Sequence, residues 1–222
     1  MNEPDETSVP GPLPEILPIF PLTGVLLLPR GQLPLNIFEP RYLAMTRDAM
    51  DGERLIGMVQ PSDPPIREMN PTVYPLGCAG RITSFSETED GRMLITLTGI
   101  SRFRIKEELP LLSGYRRVVA GWADFAADRD PSEAGFDRTR LVQGLRSFFS
   151  QRQVNADWEA IDKAPGEHLV TSIAMMCPFA PNEKQALLEA RDLGERASLL
   201  TALIEMTATA STPNPEGGVT RH

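Results

Sequence analysis

The side chains able to do chemistry are few. The only lysines are Lys106, Lys163 and Lys184, and the two histidines are His168 and the terminal His222. A phosphate loop needs Gly-x-x-x-x-Gly-Lys-[Ser/Thr], whose backbone N–H groups cradle the anion. None of the three lysines follows a glycine, and a dinucleotide fingerprint is absent. A serine nucleophile needs a base held beside it. His168 falls inside an expected helix and reads as a surface or packed histidine, with a triad through it as the alternative. A Ser–Lys dyad needs a desolvated amine. All three lysines sit in polar contexts that predict exposed, charged ammonium groups. Cys78 and Cys177 lie far apart in the chain and predict two buried thiols in a reducing cytoplasm, not a disulfide framework or a zinc site. No His, Cys or carboxylate set has metal-ligand spacing. These residues assign no catalytic group, no cofactor and no metal.

Two stretches carry a different chemistry, that of holding another chain. In Phe38-Glu39-Pro40-Arg41-Tyr42, Glu39 and Arg41 flank a proline at a helix start. Glu39 is expected to cap the helix and favour its positive end, with Arg41 pairing locally. The functional alternative is a polar anchor for a peptide lying over the neighbouring loop. In Val25 to Pro29, a run of leucines is either core or, where exposed, a partner surface. Leu26, Leu27, Leu28, Pro29, Arg30, Glu39 and Arg41 are therefore the candidate protein-binding residues. Arg102, Arg104, Arg116 and Arg117 could instead line a basic stripe for RNA. The net charge of −8 opposes a polyanion or an anionic membrane.

These residues need elements to position them. Phe20 to Tyr42 is aliphatic but broken by four prolines. Its apolar run, Ile16 to Leu28, is interrupted by Pro18 and Pro21, whereas a spanning helix needs about 20 apolar residues. A secretory signal needs a basic start, and this chain opens acidic and proline-rich. The stretch therefore predicts strands: Ile16 to Phe20 at an edge or strand end, then Leu33 to Phe38, alternating Leu33, Leu35 and Ile37. Pro40 opens a helix that Gly52 stops. Arg54 to Gln60 is another strand, followed by a long proline-rich loop. Asp90-Gly91 predicts a hairpin, with Met93, Ile95 and Leu97 alternating on one arm and Arg81, Thr83 and Phe85 on the other. Phe103 and Ile105 continue the pattern, and Tyr115 onwards gives one more strand. Six or seven strands in largely antiparallel order suggest a small, curled, partly closed sheet.

After Ala127 the periodicity becomes helical, with Leu141, Leu145, Phe148 and Phe149 in one helix and Leu169, Val170 and Ile173 in another. Pro181 starts a further helix. Asp192 followed by Glu195 has capping-box spacing before Leu200, Leu203 and Ile204. The organisation expected is a disordered arm at 1–13, a β-rich part at 14–126, a helical part at 127–207 and a frayed tail at 208–222.

The run Leu17-Pro-Ile-Phe-Pro-Leu, the Val-Leu-Leu-Leu-Pro that follows and Pro34-Leu-Asn-Ile-Phe-Glu-Pro-Arg-Tyr42 together resemble the opening of the Lon protease N-terminal domain family. The hairpin from Gly77 to Ile105 and the segment Glu183 to Met206 resemble later parts of the same family, in order. The resemblance implies an α+β fold: a curled antiparallel pseudo-barrel sheet, PUA-like, followed by a helical subdomain. It implies a non-catalytic module that binds unfolded or tagged client proteins, or an adaptor serving a protease or chaperone. It carries no catalytic residue to this chain, because the ATPase and protease work belongs to other domains of the full-length protease. A stand-alone, cytoplasmic, substrate-recognising domain is expected, of undetermined oligomeric state. An enzyme with an unrecognised site, built on Glu39, Arg41 and His168, is the alternative, and RNA binding a further one.

Overall fold

The computed structural model describes residues 11–62, 70–132 and 135–210, the side chains of 208–210 excepted. The start of the arm and the tail from 211 lie outside the described residues, and so do the expectations placed on them.

Six strands come first: β1 (Ile16–Pro21), β2 (Gln32–Ile37), β3 (Leu55–Val59), β4 (Leu76–Glu87), β5 (Met93–Leu112) and β6 (Tyr115–Gly121). Helix α1 (Pro40–Asp51) separates β2 from β3. A 3-10 turn, Ala123–Arg129, leads to α2 (Arg138–Gln151), α3 (Trp158–Lys163), α4 (Gly166–Met176), α5 (Pro181–Glu189) and α6 (Leu193–Ala210). The sheet runs β2-β5-β4-β3-β1-β6, and β5 also pairs with β6. That extra pairing closes β1, β3, β4, β5 and β6 into a small barrel, with β2 appended to the first half of β5. One pair departs from the antiparallel expectation: β1 runs parallel to β3, with Ile19 beside Gly57. The cause is the long crossover through β2 and α1, since a tight turn can join only antiparallel neighbours.

The β4–β5 hairpin turns where Asp90-Gly91 predicts. Gly91 takes φ +79°, and Thr88 N–H donates to the Arg92 carbonyl at 2.9 Å. This closes a three-residue loop with glycine at the left-handed position. Met93, Ile95 and Leu97 are buried as the alternation requires. On β4 a bulge between Ile82 and Ser84 resets the phase. Ile82 is therefore the buried residue there, and Phe85 stays partly open.

Two apolar clusters result. Leu17, Ile19, Leu55, Val59, Ala79, Ile100, Phe103, Val118 and Ala120 fill the barrel. Phe103 occupies its centre because Gly57 and Gly77 face it: a Cβ on either would lie 2.7 or 2.8 Å from its ring tip. The larger cluster joins the outer wall of the sheet to α1 and to the helices, from Phe20 and Met58 through Leu141 and Phe148 to Leu200 and Ile204. Strand-rich and helical parts thus share one core. Asp192 caps α6 through its Oδ1, 2.8 Å from Glu195 N. Glu195 answers at Arg191 N, one residue before Asp192.

Candidate protein-binding site

The 22–31 loop does not form an exposed patch. Leu26, Leu27, Leu28 and Pro29 are all buried, and the three leucines belong to the large shared core. This corrects the expectation of a client surface at these positions. The physical reason is that the loop is clamped between sheet and helices. Arg30 N donates to Gly99 O and Gly99 N to Gly31 O, both at 2.8 Å, and Gly31 N to Leu28 O at 2.9 Å. A Cβ on Gly99 would overlap the Leu28 carbonyl oxygen, so glycine is required by the close approach of loop and strand. From the other side Lys184 Nζ on α5 donates to Gly24 O at 2.9 Å. Gly24 N donates to Gln60 Oε1 at 3.2 Å.

Lys184 therefore departs from its expected exposure. It is buried, and burial lowers the pKa of its ammonium. Its hydrogen bonds go to the carbonyls of Gly24 and Met175, not to a serine hydroxyl. It acts as a clasp.

A second clasp lies at the junction of β5, the 3-10 turn and the α5–α6 turn. Arg102 is buried, and its guanidinium grips Asp128 with Nε to Oδ2 and Nη2 to Oδ1, each 2.8 Å. Its remaining N–H groups reach the carbonyls of Leu188, Ala190 and Arg191. Nearby Arg30, at φ +61°, pairs with the Glu167 carboxylate and donates to Asp128 O. Arg196 donates from Nε to Leu187 O at 2.9 Å. Burial, with help from the Arg102 charge, pulls its pKa down to about 10. The Cys78 thiol beside this group is pushed far up, again by burial. Cys78 and Cys177 are both free and buried. These contacts join the two parts of the chain and leave Arg30 as a joint residue.

Glu39 occupies the N-cap of α1, and Pro40 the first turn, but the Glu39 side chain caps nothing. Its Oε2 instead accepts from Arg41 Nε at 3.0 Å, and the Arg41 guanidinium lies 4.5 Å from the centre of the Tyr42 ring. The corner is a local ion pair stacked on an aromatic ring. His168 is exposed on the first turn of α4. Among the described residues no hydrogen bond or ion pair links it to Glu39 or Arg41. Nor does any group of three His, Cys, Asp or Glu among them stand close enough to hold a metal ion.

Three of the four arginines of the expected basic stripe are paired with carboxylates. Arg102 is spent on Asp128. Arg116 is buried, bidentate to Glu108 at 2.7 Å on both oxygens. Arg104 pairs with Asp124, and Arg117 reaches the Pro110 carbonyl.

Two large apolar side chains stay open beside β2. Phe38 is 62% exposed and Leu94 44% exposed, and Leu94 is paired with Asn36 of β2. Sequence reasoning passed over Leu94. The signal was there: in the strand run Met93-Leu94-Ile95 two apolar residues point inward, so the middle one points out.

The comparisons place this geometry in a family. Residues 16–206 match the sequence model of the ATP-dependent protease La (LON) substrate-binding domain. Lon protease 2 of Myxococcus xanthus is 28% identical over 86% of this chain, and Lon protease of Desulfosudis oleivorans 30% identical over 85%. In both cases the match spans 24% of the relative, so the chain covers about a quarter of the length of these proteins. Among solved structures, a Lon N-terminal domain protein from Xanthomonas campestris superposes with a TM-score of 0.60 at 22% identity, over 84% of this chain and 97% of that one. The N-terminal domain of Mycobacterium avium complex Lon protease gives 0.59 at 16% identity, over 85% and 97%. Among the described residues no helix is long and apolar enough to cross a membrane. A curled sheet closed into a barrel, a helical part sharing its core and a family match across nearly all the described residues lead to one conclusion: the chain belongs to the Lon substrate-binding domain family.

Proposed function

We propose that this chain is a protein-recognition module that binds client polypeptides in an unfolded or tagged state and presents them to a protease or chaperone. The observation that carries the reading is the family match over residues 16–206. The reading places the module in the cytoplasm and assigns it no catalytic residue. The geometry supports it in one respect: beside the uncharged strand β2, Phe38 and Leu94 expose apolar side chains that an unfolded chain can cover. The buried leucines of the 22–31 loop belong to the shared core and hold the fold. The pairing of Arg102, Arg104 and Arg116 with carboxylates weighs against RNA as the partner.

Fluorescence anisotropy tests the proposal. A labelled, permanently unfolded protein and its folded counterpart are titrated with this chain. Saturable binding to the unfolded form alone is expected. Equal binding to both forms, or to neither, would sink it.

A further inference from the structure

Strand β2 pairs with β5 on one side, and among the described residues no strand pairs with the other. Which backbone groups face that open side follows from the register. Gln32 to Ile37 lie opposite Thr98 to Met93 in antiparallel order. One step before, Gly99 N donates to Gly31 O. Bonded and non-bonded pairs alternate along an antiparallel ladder. Gly31 is a bonded position, so Leu33, Leu35 and Ile37 turn their N–H and C=O groups toward β5. Gln32, Pro34 and Asn36 turn theirs to the open side. The β4–β5 ladder agrees. Thr88 N donates to Arg92 O, which makes Leu94 and Thr96 the residues bonded to β4 and leaves Met93, Ile95 and Leu97 for β2.

Pro34 therefore sits where its missing N–H faces outward and costs β5 nothing. The open edge offers two donors, from Gln32 and Asn36, and three carbonyls, from Gln32, Pro34 and Asn36. No residue from Gln32 to Phe38 is charged. Charge is the usual guard of an exposed edge, and here only the single proline and the short length limit pairing. Next to the edge stand exposed Phe38 and Leu94, with the Arg92 guanidinium 6.0 Å from the centre of the Phe38 ring.

We propose that the open edge of β2 docks an extended, uncharged, proline-free segment of a client polypeptide as an added strand, with Phe38 and Leu94 receiving its apolar side chains. This rests on the substrate-recognition reading above and names the feature recognised. The hydrogen-bond inventory favours such a segment over a second copy of the chain. In a symmetric pair Asn36 of one copy meets Gln32 of the other, and the two Pro34 residues face each other. Both Pro34 carbonyls then lack a donor. A segment with an N–H at every residue supplies all three carbonyls and accepts from both donors.

The test uses the whole chain and a short labelled peptide alternating valine and threonine. Asn36→Pro removes one outward donor and leaves the β5 ladder whole, as Pro34 already does at the equivalent position. Asn36→Ala keeps the donor. Wild type and Asn36→Ala are expected to bind alike, and Asn36→Pro about tenfold more weakly, since the unmet partner is desolvated on docking. The same peptide N-methylated at every second residue, in the phase that faces the edge, should not bind, and in the other phase should bind. This arm decides the matter even where Asn36→Pro fails to fold. Unchanged binding to Asn36→Pro or to both N-methylated peptides overturns the edge, while binding of the permanently unfolded protein would still uphold client recognition. A wild-type dimer that Asn36→Pro dissociates would make the edge a self-association surface and overturn the proposal. Failure of the unfolded protein to bind wild type would sink the underlying reading itself.

Discussion

Leu28→Ala asks directly whether the 22–31 loop is core. The Leu28 side chain is fully buried, 0% exposed. Truncation removes three carbons, worth about 2.4 kcal/mol at ~0.8 kcal/mol each. The surroundings cannot close over the gap. Gly31 N–H holds the Leu28 carbonyl at 2.9 Å, and Gly99 lies against that carbonyl. The cavity left behind adds about 1 kcal/mol, for a total loss of ~3–4 kcal/mol. That is a large share of the roughly 5–15 kcal/mol that holds a domain together. Urea unfolding followed by circular dichroism should show the midpoint falling with the slope unchanged, the sign of lost stability without a change in the surface exposed. Binding of an unfolded client, corrected for the folded fraction, should not change. A loss below ~1 kcal/mol together with weakened client binding would refute the reasoning, because it would mean that the leucine meets the client and not the core.

Four further outcomes follow from the same geometry. Gly99→Ala forces a methyl group into the Leu28 carbonyl, so a loss of at least about 1–3 kcal/mol is expected by urea unfolding, and a neutral result would disprove the close approach. Asp128→Ala strands the buried Arg102 charge and should cost about 3–5 kcal/mol, whereas Arg104→Ala breaks an exposed pair and should cost less than ~1 kcal/mol; similar losses for the two would contradict the burial assigned to Arg102. Burial pushes the Cys177 thiol up to about 11 and the Cys78 thiol higher still. A thiol reagent at mildly alkaline pH should therefore label neither in the native chain and both in denaturant, and rapid native labelling would be the contrary finding. Burial, aided by the Tyr115 hydroxyl bonding to Asp48 at 2.8 Å, raises the Tyr115 pKa from 10.0 to about 12. The stabilisation from Tyr115 is then whole below about pH 10 and is lost as the pH rises through about 12, which an ultraviolet titration of native and unfolded chain would follow.

Much of the local architecture was legible in the residues themselves. Pro40 and Gly52 bound α1, Asp90-Gly91 marks the hairpin, Pro181 opens α5 and Asp192 caps α6. Each signal acts within a turn or two of itself, through a missing N–H, a permitted φ or a side chain reaching a nearby backbone group. The prolines among the leucines of the opening stretch likewise spoke against a membrane helix and for strands. Glu39 shows the limit even at short range. Its position at the helix start was readable, but whether its carboxylate would cap the helix or take Arg41 depended on which donor lay nearer.

Which of the candidate segments could form a binding surface was decided by residues distant in the chain. Nothing in Leu26-Leu27-Leu28 says whether they meet solvent. They are core because α4 and α5, more than a hundred residues later, close over them, with Lys184 clasping Gly24. The polar context of Lys184 predicted exposure, yet the carbonyls of Gly24 and Met175 make burial tolerable by satisfying its ammonium. The parallel β1–β3 pair exists because a crossover brings those strands together. The open side of β2 exists because the barrel closes through β5 and β6 and leaves β2 outside it. Sequence fixes what a residue can bond or bury. Which of those choices it makes is set by long-range packing, since burial depends on who covers a side chain and not on its neighbours along the chain.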